Sequence, residues 1–293
     1  MTEIKSIGIL SIGEMGHACA RLFRQNGARV LTVLEGRSER TRALARDAGV
    51  EVLGDLKALV GTADVVLSLV TPSSAMKVAQ QAAGAMAGSE GAGLFVDANP
   101  TSPMAAEEIA GLIASAGGRF VDGAVIGSAS DVGRRTALCV SGPGAGDLKQ
   151  IERFGLRVDV VGEKVGQASA LKMFYAGLNK GVAALLFELL LGASKVGVLD
   201  EVVERYNDGF REIVTRMNGF LTGFSLHARR RSEEMVELEA TLRHWGIEPV
   251  MTPAVYDVLA RMAALRLDPI QQDPEGYRRL IRTLDEKGFL SDQ

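Results

Sequence analysis

The chain has 293 residues, 47% hydrophobic and 24% charged, with 33 basic against 36 acidic side chains and a net charge of −3. That length suits two globular domains, and so even a balance gives no general pull toward nucleic acid or anionic lipid. Two cysteines, Cys19 and Cys139, lie far apart with no C-x-x-C spacing, and His17, His227 and His244 have no partner at ligand spacing. Neither a disulfide framework nor a metal site is therefore expected. No run reaches the ~18 uninterrupted apolar residues of a membrane helix, and the charged start lacks the apolar stretch of a secretory leader, so the expected setting is cytoplasmic.

In chain order, the first half alternates strand-like and helix-like runs. "KSIGIL", "RVLTVL", "DVVLSLV", "GLFVDA", "RFVDGAV", "ALCVSG" and "RVDVVG" are short and apolar. Between most of them lie Ala-rich segments with helical spacing, among them "HACARLFRQNG" and "TRALARDAG", which stop at Gly27 and Gly49. Near-continuous apolar strands alternating with helices predict a mostly parallel sheet covered on both faces. From Gly166 to about Gly197 the pattern becomes one long helix, and only helical patterns follow it. The expected organisation is an α/β Rossmann domain over 1–163 and an all-α domain over 164–293.

The stretch "IGILSIGEMGHACARLF", Ile7–Phe23, reads as strand, glycine turn and helix start. It follows the dinucleotide fingerprint G-x-G-x-x-G with Ser11 in place of the first glycine. Gly13 stands where backbone must approach a pyrophosphate, and Gly16 where helix and strand pack closely. Ser11 fits the turn on condition that its φ is negative. A helix beginning near Glu14 then aims free N–H groups at the phosphates, which makes Ile12, Gly13, Glu14 and Met15 candidate cofactor contacts.

The second strand ends at Leu34 and runs into "EGRSERTR". An acidic residue there suits the ribose hydroxyls of NAD, and Glu35 can take that role. Arginine suits the 2′-phosphate of NADP, and Arg37, Ser38 and Arg40 offer such a pocket. NADP is the expected cofactor, with NAD as the alternative. Ser38 also reads as the N-cap of a solvated helix. Thr71, Pro72, Ser73, Asn99 and Thr101 follow later strands, whose carboxyl-end loops are where ligands sit in open α/β sheets.

These motifs, in this order, resemble the beta-hydroxyacid dehydrogenase family, which includes 3-hydroxyisobutyrate dehydrogenase and 6-phosphogluconate dehydrogenase. "IGILSIGEMG" resembles I-G-x-x-G-x-G-x-M-G. "FVDANPTSP" resembles the substrate-loop motif D-x-S-T-x-x-P, with Asn99 and Pro100 replacing Ser and Thr. "FVDGAVIGSASDVG" resembles D-A-P-V-S-G-G, and "VGQASALKMFYAG" resembles the interdomain helix G-x-G-x-x-x-K-x-x-x-N. The "LEGRS" run is similar to a less characterised branch of the family.

The resemblance implies an NAD(P)-dependent dehydrogenase or reductase. It would act by reversible hydride transfer on a small 3-hydroxy acid or its carbonyl counterpart. Lys172 stands at the catalytic lysine. The family asparagine one turn later is Ala176 here, and Asn179 occupies the place of the glutamate acid in decarboxylating phosphogluconate enzymes. Residues at i, i+3, i+4 and i+7 share a helix stripe, so Lys172, Tyr175 and Asn179 point roughly the same way.

The resemblance further implies that Pro72 borders the nicotinamide and Asn99 its ribose or the substrate. It implies that Gly127 and Ser128 hold a substrate carboxylate. One of Arg229, Arg230 and Arg231, with Arg231 the choice, is expected to bind an acidic substrate; a solvated basic helix face is the alternative. The all-round apolar long helix, together with the resemblance, implies a homodimer. Imine reduction, oxidative decarboxylation and a non-catalytic NADP(H) sensor are the competing readings.

Overall fold

The computed structural model describes residues 3–87, 93–269 and 275–290. The chain divides into two compact units, Met1–Met173 and Phe174–Gln293. The division falls within a helix whose first turn is hydrogen-bonded to Asp122 of the first unit.

In the first unit, strands and helices alternate as β1 (Ser6–Leu10), α1 (Glu14–Gln25), β2 (Arg29–Val33), α2 (Glu39–Ala48), β3 (Glu51–Leu53), α3 (Leu56–Thr62), β4 (Val65–Ser68), α4 (Pro72–Met86), β5 (Leu94–Asp97) and α5 (Pro103–Ser115). There follow β6 (Arg119–Ile126), β7 (Ala137–Ser141), the short α6 (Ala145–Leu148) and β8 (Arg157–Gly162). They form one sheet of order β3-β2-β1-β4-β5-β6-β7-β8. Every neighbouring pair is parallel except β6 with β7. The seven strand-like runs of the sequence are all present. The additional β3 escapes a pattern reading because it is three residues long and Glu51 and Val52 are exposed.

Both faces of the sheet are buried, which is why its strands are apolar without alternation. Val65, Leu67 and Val96 face one core, with Ile7, Ile9 and Phe23. Val66 and Phe95 face the other, with Leu31, Ile109 and Ile113. Successive strand residues point to opposite faces, so each strand feeds both layers.

The long helix α7 (Gln167–Lys195) begins in the first unit. Among the described residues it is the one helix long and apolar enough, by length and composition alone, to cross a membrane. Leu186, Phe187, Leu190 and Leu191 are buried in the protein. Leu185 and Leu189 on the same helix remain exposed.

The second unit continues with α8 (Leu199–Gly209), α9 (Arg211–Leu226), α10 (Ala228–His244), α11 (Met251–Ala264) and α12 (Gly276–Glu286). α10 packs on α11, and α9 packs on α8 and α12. Leu221, Phe224, Met235, Leu259, Leu280 and Ile281 fill this helical core.

The β1–α1 turn departs from expectation at Ser11, whose φ is +79°. The positive φ is the tight-turn geometry that the first glycine of the fingerprint serves. A Cβ added to Gly16 would lie 2.4 Å from the Ser11 carbonyl oxygen. The left-handed geometry is what a glycine supplies freely, and serine holds it at a cost of about 1–2 kcal/mol. Ser11→Gly is expected to stabilise the ligand-free protein by about 1 kcal/mol, raising its melting temperature by about 2–4 °C in calorimetry. An unchanged or lower melting temperature would show that the serine is unstrained.

Candidate active site

The strands β2, β1, β4, β5 and β6 run parallel, so their carboxyl ends share one edge of the sheet. Strand order reverses between β1 and β4, and such a switch point opens a crevice for ligands. The expected contacts of the first unit fall along this edge. Ile12, Gly13, Glu14 and Met15 form the turn after β1. Arg37 and Ser38 follow β2. Thr71 and Pro72 open α4 after β4. Asn99 follows β5, and Gly127 and Ser128 follow β6.

Gly13 caps α1, and a Cβ built on it would meet nothing within 4 Å. The backbone there borders open space beside the free N–H groups of a 12-residue helix, which suits a pyrophosphate. Ile12 is fully buried in the core, so only its backbone faces this turn. Met15 packs against the same core, and exposed Glu14 pairs with Arg40 at 2.9 Å. That pair ties the β1–α1 turn to the start of α2.

Ser38 is the N-cap of α2, accepting from the Thr41 amide. Gly36, at φ +66°, shapes the loop before it. Arg37 is half-buried, and its carbonyl accepts a hydrogen bond from Arg42 Nε at 3.2 Å. Pro72 occupies the first turn of α4, where its missing N–H costs nothing, and the Thr71 hydroxyl bonds Ser73 and Ser74.

Asn99 differs from the expected ligand contact. Its side chain is buried and turned inward, where its Oδ1 accepts from the Val70 amide at 2.6 Å. Its Nδ2 donates to Ser68 Oγ at 3.0 Å and to Asp97. It therefore braces the loop after β4 against β5. Thr101 is buried beside the same Asp97 carboxylate. Burial pushes the Asp97 carboxyl up to about 7, against the lowering effect of Asn99 and with the help of the Asp122 charge on the neighbouring strand.

After β6, Gly127 has φ +129°, and a Cβ there would collide with Thr136. Thr136 Oγ1 donates to the Ser128 carbonyl at 2.7 Å. The Ser128 hydroxyl donates to Asp131 at 3.0 Å and lies 2.9 Å from Ser130 Oγ.

Lys172 lies on α7, and its ammonium donates to the carbonyl of Val125, on β6, at 2.7 Å. The helix start is fixed by Asp122, which the sequence reading included in the stretch similar to D-A-P-V-S-G-G but gave no role. Its carboxylate accepts the backbone N–H groups of Gly166, Ala168 and Ser169 and the hydroxyls of Ser141 and Ser169. The signal was a single acidic residue inside the apolar run "RFVDGAV".

In the second unit, Tyr175 is exposed and Asn179 half-buried on α7. Lys180, also overlooked, is buried in an ion pair with Glu234 at 2.6 Å, and Glu234 also receives Arg230 at 2.7 Å. Burial lowers the Lys180 ammonium below its usual range, opposed by Glu234. Of the three arginines, Arg229 is exposed, 3.9 Å from Glu233. Arg231 lies inward with its guanidinium 3.5 Å from the Phe224 ring centre. Its Nη1 is buried with no hydrogen-bond partner among the described residues. Burial and the charge of Arg230 bring Arg231 down to about 10.

Residues 6–165 match the NAD binding domain of 6-phosphogluconate dehydrogenase. The chain belongs to the beta-hydroxyacid dehydrogenase family. Residues 193–262 match a domain of unknown function, DUF1932, that forms part of the helical region of this family member. An uncharacterized 28.5 kDa protein of Methanothermus fervidus is 35% identical over 247 residues, covering 84% of this chain and 94% of that protein. The conserved protein MTH1747, described as structurally similar to 3-hydroxyacid dehydrogenases, shares 33% identity with a TM-score of 0.69, over 89% of this chain and 98% of that one. Mycobacterium tuberculosis 3-hydroxyisobutyrate dehydrogenase with L-serine has a TM-score of 0.74 at 18% identity, over 96% and 99% of the two chains, and so shares the fold. The family is one of NAD(P)-binding oxidoreductases, and a nicotinamide dinucleotide is its cofactor.

The raised Asp97 carboxyl gives a pH prediction. The fold binds its proton more tightly than the unfolded chain, so between about pH 4 and 7 the folded state holds more protons and stability falls as pH rises. Asp97→Asn removes this charge. In urea unfolding, the variant should gain on the unmutated protein by about 1 kcal/mol or more between pH 4.5 and pH 7.5. A gap that does not widen with pH would contradict a raised Asp97.

Proposed function

We propose that the chain is an NADP-preferring dehydrogenase that interconverts a small 3-hydroxy acid and its carbonyl counterpart. The observation that carries the reading is Lys172, whose ammonium is held by the Val125 carbonyl near the carboxyl end of β6. A bound nicotinamide dinucleotide supplies the hydride acceptor or donor. The chain's own part is to bind, orient and move a proton.

The open backbone at Gly13 and the N–H groups of α1 suit the pyrophosphate. Arg37 is assigned to the 2′-phosphate, with Ser38 beside it as helix cap, and Thr71 and Pro72 to the nicotinamide end. Asn99 contributes through the loop it braces. Lys172 takes the proton of the substrate hydroxyl on oxidation and returns it on reduction, the task of a general acid–base group. The Gly127–Ser128 turn is assigned to a substrate carboxylate. In the second unit, Asn179 is assigned to the substrate hydroxyl or carboxylate, Arg231 to an acidic group, and Tyr175 to substrate contact. The buried unpartnered Nη1 supports Arg231 over its neighbours. Exposed Leu185 and Leu189 on α7 support a homodimer that covers them.

Two substitutions test the assignment. Arg37→Ala should weaken NADPH binding about 10- to 150-fold and leave NADH nearly unchanged, measured by fluorescence titration. Tighter binding of NADH than NADPH by the unmutated protein would give the ribose to Glu35 instead. Lys172→Met should fold normally and bind NADPH as before, while kcat falls about 10²–10⁴-fold with the best acid of a panel of small 3-hydroxy acids and semialdehydes. Turnover within about threefold of the original would make Lys172 structural.

A further inference from the structure

Strand β6 holds the start of α7 at two points. The first is the Asp122 carboxylate, which is buried. Its Oδ2 accepts the amides of Gly166 at 2.9 Å, Ala168 at 3.0 Å and Ser169 at 3.1 Å, and the Ser141 hydroxyl at 2.9 Å. Its Oδ1 accepts the Ser169 hydroxyl at 2.6 Å. The Ser141 oxygen in turn accepts the Ala168 amide at 3.0 Å. The first N–H groups of a helix have no partner inside it, and its amino end is electropositive. A carboxylate from another element here fills the place of an N-cap. The second point is Val125, three residues along β6, whose carbonyl holds Lys172 Nζ at 2.7 Å.

We propose that Asp122 is a positioning residue: by fixing the first turn of α7 on β6 it sets the helix rotation that delivers Lys172 to the Val125 carbonyl. The proposal rests on Lys172 as the proton-transfer group. Ser169 and Lys172 are three apart and share a helix face. Less than one turn separates clamp from amine, and each residue of helical phase is about 100°. A slip of the first turn therefore passes to the amine without a flexible joint to absorb it. Misplacement of a reacting group by about 1 Å can cost about 10²-fold in rate.

A double-mutant cycle on the full chain tests this, with NADPH and the best substrate of the same panel. Asp122→Ala should lower kcat about 10²-fold with little change in NADPH affinity. Asp122→Asn keeps one acceptor oxygen and should regain about tenfold of that loss. In a Lys172→Met background, Asp122→Ala should cost less than about threefold more, because its effect runs through the amine. If Asp122→Ala does not fold, Asp122→Asn carries the same cycle with an expected loss of about tenfold. Equal losses in both backgrounds, or a loss of NADPH affinity as large as the loss of kcat, would overturn the role. A Lys172→Met variant that keeps full turnover would remove the functional reading first, and is seen in the single substitution alone.

Discussion

A carboxylate buried between a strand and a helix start has to find donors, and the arrangement around Asp122 follows from that need. Desolvation raises its carboxyl, and five hydrogen bonds work against the rise. Those donors come from β7 and from the first turn of α7, so satisfying one charge welds three elements together. Asp97 on the neighbouring strand poses the same problem and solves it differently, through Asn99, whose amide reaches on to Ser68 and Val70. The two carboxylates are register partners on β5 and β6, and the Asp122 charge adds to the rise of the Asp97 carboxyl.

The ligand edge of the sheet is built from turns whose backbones are constrained by close approach. Gly16 gives room to the Ser11 carbonyl, and Gly127 gives room to Thr136. Gly13 differs, since no protein atom fills the place of its Cβ. The first two glycines serve packing and the third leaves space beside a helix amino end. This division agrees with a family whose cofactor is a nicotinamide dinucleotide. The proposed preference for NADP over NAD rests on the loop after β2, where Arg37 and the cap residue Ser38 lie next to Glu35.

Most of the fold was legible because its signals are local. Apolar runs with glycine stops at Gly27 and Gly49 mark the α/β alternation, and both glycines have the positive φ of helix ends. The fingerprint turn and the start of α1 at Glu14 were legible for the same reason. What was not legible depends on tertiary partners. Ser11 keeps the positive φ of the glycine whose place it takes in the fingerprint, a geometry the serine itself does not announce. Asn99 looked like a ligand contact from its loop position, and only the fold shows its amide facing inward. Asp122 and Lys180 each sit in apolar runs, and their value comes from donors and acceptors far away in sequence.

In the proposed hydride-transfer reaction, the amine of Lys172, held by β6, moves the proton. The pH profile of kcat/KM measures this most directly, because a general acid–base group leaves a titrating limb in the free enzyme. The unmutated protein should show such a limb, and the slow residual activity of Lys172→Met should lack it. A limb of the same position and depth in both proteins would place the titrating group elsewhere and remove Lys172 from the proton transfer.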